Sequence, residues 1–352
     1  MDYHLDHKIA FATIPRAIRP DTRSLFAPDA FDPLYFAPDG TLISDAKTAL
    51  GRQLFYESRL SSSASRSCAT CHQPDKAFSD GLVKNLAIVG DQELRRNTPT
   101  LINAALQPAQ FYDSRITFLE DQVHDVITNR DEMNSDLDEL CASLMKDPVY
   151  KKLFEEVFPK EQISSHHLRS SIAAYVRSLV AMNSTFDKYM NGREEAMTVK
   201  QRDGFNLFMG KAKCGTCHFM PLFNGSFPPL FYKIESEVLG VPLENIKANA
   251  IVDTDSGKYE LYHIPHQLFA FKTVTVRNAE LTAPYMHNGV FKTLEEVVDF
   301  YDLGGGAGLG IELDHQTLAP DPLGLTIYER SALVEFMKAL TDTVVHRPLS
   351  VQ

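Results

Sequence analysis

The 352-residue sequence contains no tryptophan and only five cysteines. It also lacks any run of the roughly 18 apolar residues that a membrane-spanning helix requires, so we predict no membrane span. Its first twenty residues do not show a basic region followed by an apolar region, and no secretion signal is visible there. If the protein is exported, we expect this sequence to be a mature or trimmed form.

A surplus of positive charge is also missing. The chain has 35 Lys and Arg against 46 Asp and Glu, which gives a formal net charge of −11 at pH 7. Because nucleic acids bind basic surfaces, this balance argues against a nucleic-acid partner, whereas an acidic face could attract a basic protein. A hydrophobic content of 44% and a length of 352 residues are typical of a globular protein with two or three domains.

Four of the five cysteines lie in two Cys-x-x-Cys-His motifs, at residues 68–72 and 214–218. The fifth, Cys141, stands alone in a predicted helix, and we expect it to be a small buried apolar residue. A Cys-x-x-Cys pair alone is compatible with a zinc ribbon, a redox dithiol, a disulfide or haem attachment. The adjacent histidine favours haem, because zinc ribbons place a second ligand pair within about 20 residues and neither motif follows a strand pattern.

In c-type haem attachment the two thiols form thioethers to the porphyrin and the following histidine binds the iron. Two covalent haem c groups are therefore predicted, one on Cys68 and Cys71 with His72, the other on Cys214 and Cys217 with His218. A Pro and a Phe follow each motif, as Pro74 and Phe78 and as Pro221 and Phe223. They could pack against haem or serve ordinary loop packing. Cytochromes of this type occupy oxidising compartments, which predicts a periplasmic protein.

Apolar residues recur at helical spacing through most of the chain, and strand-like alternation is confined to a run at 268–276. Capping boxes predict helix starts at Thr198, Thr293 and Thr326, and Gly304–Gly306 should end the second of these helices. We predict a mostly α fold with two cytochrome-c-like haem domains. The expected organisation is an extended arm at 1–44, one domain at 45–190 and another at 191–352, whose last helix could pack back on the first domain.

Five segments follow one another in an order that resembles the dihaem cytochrome c peroxidases and the MauG-like enzymes. They are SCATCHQPDKAFSDG, RRNTPTLINAA, FYDSR, KCGTCH and TVRNAELTAPYMHNGVFKTLEEVVDFY. The resemblance covers roughly residues 45–342. It implies an enzyme in which the N-terminal haem is high-spin and reacts with hydrogen peroxide, while the C-terminal haem is six-coordinate.

The resemblance also implies a catalytic acid–base group above the N-terminal haem. The family's Asn-x-x-Glu-Met stretch matches NRDEM here, which supplies Glu132, and Gln122 matches a nearby distal glutamine. A carboxylate there can take a proton from peroxide and return it to the leaving oxygen. Without the resemblance, Glu132 would be interpreted as a solvated residue at the start of a helix.

For the sixth ligand of the C-terminal haem the family offers two types. Peroxidases use a methionine, whereas MauG-like enzymes use a tyrosine, and the tyrosine position matches Tyr301. A phenolate oxygen favours high iron oxidation states, so both irons could share a two-electron oxidation in a bis-Fe(IV) state. Met286 is the competing ligand, and helical spacing alone would make Tyr301 a core residue.

Two departures from the family concern tryptophan. Tyr112 occupies the position of the tryptophan between the haems, and Ala212 occupies the position from which MauG passes oxidising equivalents to its substrate. The resemblance further implies a calcium ion between the domains, at Asn97, Thr282 and Pro284.

Three functions remain open. The first is a MauG-like enzyme that uses hydrogen peroxide to oxidise residues of a partner protein, with tryptophan as one target, as in relatives that make kynurenine in copper-binding proteins. The second is a cytochrome c peroxidase that reduces peroxide with electrons from a small cytochrome or cupredoxin. The third is an electron carrier without catalytic activity. Tyr301 favours the first over the second, and Glu132 with Gln122 favours either enzyme over the carrier.

Overall fold

A computed structural model describes residues 43–226 and 231–342. The predicted arm at 1–44 therefore falls outside the described residues except for its last two positions. None of the helices in these two ranges is both long and apolar enough to cross a membrane.

The described chain is mostly helical, as predicted. The helices are α1 (Asp45–Phe55), α2 (Cys68–Cys71), α3 (Leu119–Thr128), α4 (Leu137–Leu144), α5 (Pro148–Val157), α6 (Ser165–Arg177), α7 (Thr185–Met190), α8 (Val199–Met209), α9 (Tyr259–Tyr262), α10 (Leu294–Asp302), α11 (Gly305–Gly308) and α12 (Ile327–Ala339). Short 3-10 turns lie between them, including Cys214–Thr216 in the second motif. Strands β1 (Ser236–Val238) and β2 (Ala270–Lys272) form one antiparallel pair.

Side-chain caps explain where three of these helices begin. Thr198, Thr293 and Thr326 each accept a hydrogen bond from the main chain three residues on and form the predicted capping boxes. The glycines after α10 behave differently from the prediction. Gly304 does end the helix, with φ of 90°, but Gly305–Gly308 then forms a helical turn of its own.

The two halves of the chain repeat one helix crossing, and a glycine allows each crossing to be close. In the first, α1 crosses α6, and a Cβ on Gly51 would lie 1.8 Å from the carbonyl oxygen of Ser171. In the second, α8 crosses α12, and a Cβ on Gly204 would lie 1.9 Å from the carbonyl oxygen of Ala332. Only glycine fits at contacts this short, so the same crossing is specified twice.

Aromatic rings fill the core around the second crossing. Phe205, Phe208, Phe223 and Phe336 are all buried and contact one another edge-on or tilted. The last helix, α12, packs on α8 and α10. Cys141 is buried in the core that surrounds α4 and α6, as expected for a small apolar residue. The domain boundary near residue 190 stays a prediction.

Candidate functional site

The first motif forms a single helical turn, α2, followed by a tight loop. The His72 Nδ1 atom lies 2.9 Å from the carbonyl oxygen of Phe78, and the Gln73 amide donates to the carbonyl oxygen of Ser79 at 3.0 Å. A hydrogen bond from Nδ1–H to a main-chain carbonyl fixes the ring and its tautomer. Nε2 is thereby the nitrogen available to an iron.

The second motif repeats these two hydrogen bonds. The His218 Nδ1 atom lies 3.1 Å from the carbonyl oxygen of Phe223, and the Phe219 amide donates to the carbonyl oxygen of Asn224 at 2.7 Å. The buried side chain of Arg277 holds this loop in place. Its Nε atom donates to the Pro221 carbonyl oxygen at 2.7 Å, and its Nη2 atom pairs with the Asp187 carboxylate at 2.7 Å. The second histidine is therefore positioned as firmly as the first.

The four motif cysteines fit haem attachment. All four are free, partly buried thiols, and Cys68 and Cys214 pack at the edge of apolar clusters. Within 43–226 and 231–342, no three His, Cys, Asp or Glu side chains converge into a metal-binding group. The motifs are thus separate centres, each with two thiols for a porphyrin and one imidazole for its iron.

Glu132 lies close to the first motif. It follows the end of α3 in a turn, where the Asn129 side chain donates to its Oε1 at 2.8 Å and Arg66 donates to its carbonyl oxygen at 3.3 Å. Burial raises the pKa of Glu132 to about 7, and Arg115 opposes that shift. Its negative charge contributes to the raised pKa values of Cys68 and Cys71, though less than their burial does. The residues alone suggested that Glu132 is a solvated residue at the start of a helix, and the structure does not show that.

Gln122 lies in α3, one turn before Val126, and is half-buried. The described residues show no hydrogen bond between its side chain and Glu132. Its role beside Glu132 stays a prediction.

Tyr112 lies where the two halves of the chain meet. Its hydroxyl donates to the Asn97 side-chain oxygen at 3.4 Å, and its carbonyl oxygen accepts from the amide of Lys272 in β2 at 2.6 Å. The Asn97 amide in turn donates to the His287 carbonyl oxygen at 2.7 Å. Burial raises the pKa of Tyr112, so its hydroxyl stays a neutral donor. The role of Tyr112 as a bridge between two haems stays a prediction.

Tyr301 and Met286, the alternative sixth ligands, lie in one apolar cluster with Phe291 and Phe300. Burial raises the pKa of Tyr301, and the neighbouring Cys214 and Cys217 raise it further, which places the phenol beside the second motif. Its hydroxyl has no hydrogen-bond partner among the described residues. A partly buried phenol without a protein hydrogen-bond partner is suited to bind a metal ion.

The three predicted calcium residues have other contacts. The Asn97 side-chain amide donates to the Leu82 carbonyl oxygen at 2.8 Å, and the Thr282 hydroxyl donates to that of Ala279 at 3.5 Å. Pro284 is buried. The calcium site stays a prediction.

Sequence reasoning missed Asn129, which orients Glu132. A signal was present, because Asn129 is the first residue of the same Asn-x-x-Glu-Met stretch that supplies Glu132. It also gave no role to Asp80 and Arg115, although both lie in segments that carry the family resemblance.

Comparisons with known proteins agree with this geometry. The family model for di-haem cytochrome c peroxidase matches residues 45–195. The cytochrome-c peroxidase IdrP2 of Denitromonas iodatirespirans is 34% identical over 316 residues, which cover 86% of this chain and 82% of that protein. The methylamine utilization protein MauG of Methylorubrum extorquens is 33% identical over 304 residues, which cover 86% of this chain and 80% of that protein.

A solved structure is similar along nearly the whole chain. The crystal structure of a MauG-like protein associated with microbial copper homeostasis superposes with a TM-score of 0.76 at 27% identity, over 87% of this chain and 92% of that one. The chain belongs to the family of dihaem cytochrome c peroxidases and MauG-like oxidoreductases. Membership implies two haem c groups, which the two motifs are built to hold.

Proposed function

We propose that this protein uses hydrogen peroxide to oxidise residues of a partner protein, with the N-terminal motif as the site of peroxide reaction and Tyr301 as the sixth ligand at the C-terminal motif. The observation that carries the proposal is the partly buried Tyr301 phenol beside Cys214 and Cys217, whose hydroxyl has no hydrogen-bond partner among the described residues. When bound, the haems would supply one iron at which peroxide is cleaved and a second redox centre that shares the oxidising equivalents.

The carboxyl of Glu132 would move the proton in that reaction. With a pKa near 7, it can accept a proton from hydrogen peroxide and return it to the departing oxygen at the same pH. Asn129 holds Oε1 by its hydrogen bond, so Oε2 remains as the atom that exchanges the proton. Each peroxide takes up two electrons and two protons to leave as two waters, and the oxidised residue of the partner supplies the electrons.

Tyr112 would connect the two centres electronically. Its main-chain carbonyl oxygen is bonded to Lys272 in β2 and its hydroxyl to Asn97, whose main-chain amide is bonded to the His287 carbonyl oxygen in the PYMHNG stretch. The hydroxyl faces an amide oxygen, which is a very weak base, and burial disfavours loss of its proton. Tyr112 is therefore better suited to pass electrons than to keep an oxidising equivalent as a deprotonated radical.

A periplasmic location, a calcium ion at Asn97, Thr282 and Pro284, and a copper-binding protein as the first partner to test belong to the same proposal. The last is supported by the similar solved structure, which is that of a MauG-like protein associated with microbial copper homeostasis.

The second candidate is a cytochrome c peroxidase that takes its electrons from a small redox protein. Met286 favours it, because this thioether lies in the same cluster as Tyr301 and would replace it as ligand. Relatives with peroxidase names also favour it.

Hydrogen peroxide added to the all-ferric protein separates these functions. Protein oxidation predicts a rapid, long-lived change in the optical and EPR signals of both haems without prior reduction. A requirement for one-electron reduction would support the peroxidase, and the absence of any response would leave an electron carrier. Mass spectrometry of a copper-binding partner after turnover then tests for oxygen added at tryptophan.

A further inference from the structure

The two motif loops place the same groups around Phe78 and Phe223, although the first loop is one residue longer, and a buried carboxyl lies beside the first loop only. Phe78 and Phe223 accept the bonds from the motif histidines, and two residues later the first loop has Asp80 where the second has Gly225. Thr98 and Thr273 also occupy corresponding positions. Two residues after Thr98, the Thr100 hydroxyl donates to the carbonyl oxygen of Ala77, next to Phe78, at 2.6 Å. Two residues after Thr273, the Thr275 hydroxyl donates to the carbonyl oxygen of Leu222, next to Phe223, also at 2.6 Å.

The Asp80 side chain is a fully buried carboxylate, with the residue 1% exposed. It accepts three hydrogen bonds, from the Leu82 amide at 3.0 Å, the Thr98 hydroxyl at 2.7 Å and the Asn85 side chain at 3.0 Å. Lys76 bonds to the carbonyl oxygen of Asp80 at 2.7 Å and not to its carboxylate. Three hydrogen-bond donors are therefore directed at this one carboxyl group.

A single side chain, that of Asn85, lies between this carboxyl and Cys71 of the first haem-attachment motif. The Asn85 side-chain nitrogen that donates to Asp80 also lies 3.4 Å from the Cys71 sulfur. In the loaded protein that sulfur is a thioether on the porphyrin edge. The buried Asp80 carboxyl therefore lies close to the point where the first haem would be attached, and a charge there is less screened by water than one on the surface.

The second motif has a glycine, Gly225, at the position of Asp80, with no space for a carboxyl there, and its buried Asp187 is neutralised by Arg277. A Cβ on Gly225 would lie 2.8 Å from the Thr273 Cβ, and the Thr273 hydroxyl has no hydrogen-bond partner among the described residues. The acids that act on Cys217, Glu237 and Glu235, are only partly buried, so water screens them.

We propose that Asp80 is an electrostatic tuning residue of the N-terminal haem. Its fixed negative charge stabilises the ferric over the ferrous state, lowers the reduction potential of that haem and keeps it oxidised when peroxide arrives. Thr98 and Asn85 are positioning residues for the carboxylate. The inference deepens the proposed function, in which peroxide reacts with the all-ferric protein.

The test is spectroelectrochemical titration of the haem-loaded protein, with the two haems resolved by their optical and EPR signals. In Asp80→Asn we expect the Fe(III) to Fe(II) ratio of the N-terminal haem at fixed potential to fall about tenfold, a rise of about 59 mV in its midpoint. The C-terminal midpoint should stay unchanged. Asp80→Ser removes the same charge with a smaller side chain and should shift the midpoint in the same direction.

The matched control is Asp75→Asn, which removes a charge closer to His72 in sequence but exposed to water. It should leave both midpoints unchanged. An unchanged N-terminal midpoint in Asp80→Asn or Asp80→Ser, or an equal shift of both haems, would overturn the inference. The readout needs neither peroxide nor a partner, so the tuning role and the proposed function fail independently.

Discussion

The two haem-attachment regions share a frame and differ in the groups placed around it. Each has a histidine held by a main-chain carbonyl, a threonine that ties down the loop and a helix crossing closed by a glycine. The first region adds two carboxyls, Glu132 and Asp80, whereas the second adds the phenol of Tyr301. The repeated frame is suited to hold a haem, and we propose that the added groups determine what each haem does.

Removal of the acid–base group should have the largest effect. In Glu132→Gln the reaction of the all-ferric protein with hydrogen peroxide should slow by about 10²–10⁴-fold, since an amide cannot move the proton. Stopped-flow spectroscopy measures the rate. Glu139→Gln, an exposed acid in α4, is the control and should react as the wild type does. A Glu132→Gln rate within a factor of two of wild type would remove Glu132 from the mechanism.

Replacement of the phenol should make the second region resemble a methionine-ligated cytochrome. In Tyr301→Met we expect the Fe(III) to Fe(II) ratio of the C-terminal haem at fixed potential to fall at least tenfold, about 59 mV, because a thioether favours Fe(II). Redox titration measures this midpoint. Tyr262→Met, at a tyrosine that is 54% exposed, is the control. An unchanged midpoint would show that Tyr301 is not a ligand.

The comparison also predicts a pH dependence confined to the first region. Because the pKa of Glu132 is raised to about 7 and the base must be ionised, the peroxide rate should be steady well above pH 7 and fall below it. The fall should approach about tenfold per pH unit in the acid limb. Rates from pH 5 to 9 measure it. A flat profile in the wild type, or the same profile in Glu132→Gln, would contradict the assignment.

Substitution of the glycine at either helix crossing should destabilise the protein to a similar extent in both halves. Of the changes considered, these should have the smallest effect on the reaction with peroxide. Gly51→Ala and Gly204→Ala each insert a Cβ within 2 Å of a carbonyl oxygen. We expect each to lower the free energy of unfolding by about 1–3 kcal/mol, as measured by denaturant titration. Val199→Ala, at an exposed position in α8, should be nearly neutral. A loss in only one half would show that the two crossings are not equivalent.

Local patterns predicted the frame better than they predicted the site. Capping boxes at Thr198, Thr293 and Thr326 located helix starts, because a cap needs only residues adjacent in sequence. The run at 268–276 predicted more strand than Ala270–Lys272, since alternation does not reveal whether a partner strand is available.

The site depends on contacts between distant segments, which is why the residues alone misplaced Glu132. Its burial comes from a turn after α3 packed near a motif 60 residues earlier, and only the family resemblance indicated it. Asp80 gave no signal, because its meaning appears only when Thr98 and Asn85 surround it and Gly225 is found at the corresponding position.

The account depends most on the oxygen that binds the C-terminal iron, and resonance Raman spectroscopy of the all-ferric protein with ring-deuterated tyrosine tests it directly. We predict isotope-shifted iron–phenolate bands in the wild type that are absent from Tyr301→Phe. Identical spectra in labelled and unlabelled protein, together with a near-infrared charge-transfer band typical of sulfur ligation, would contradict the account.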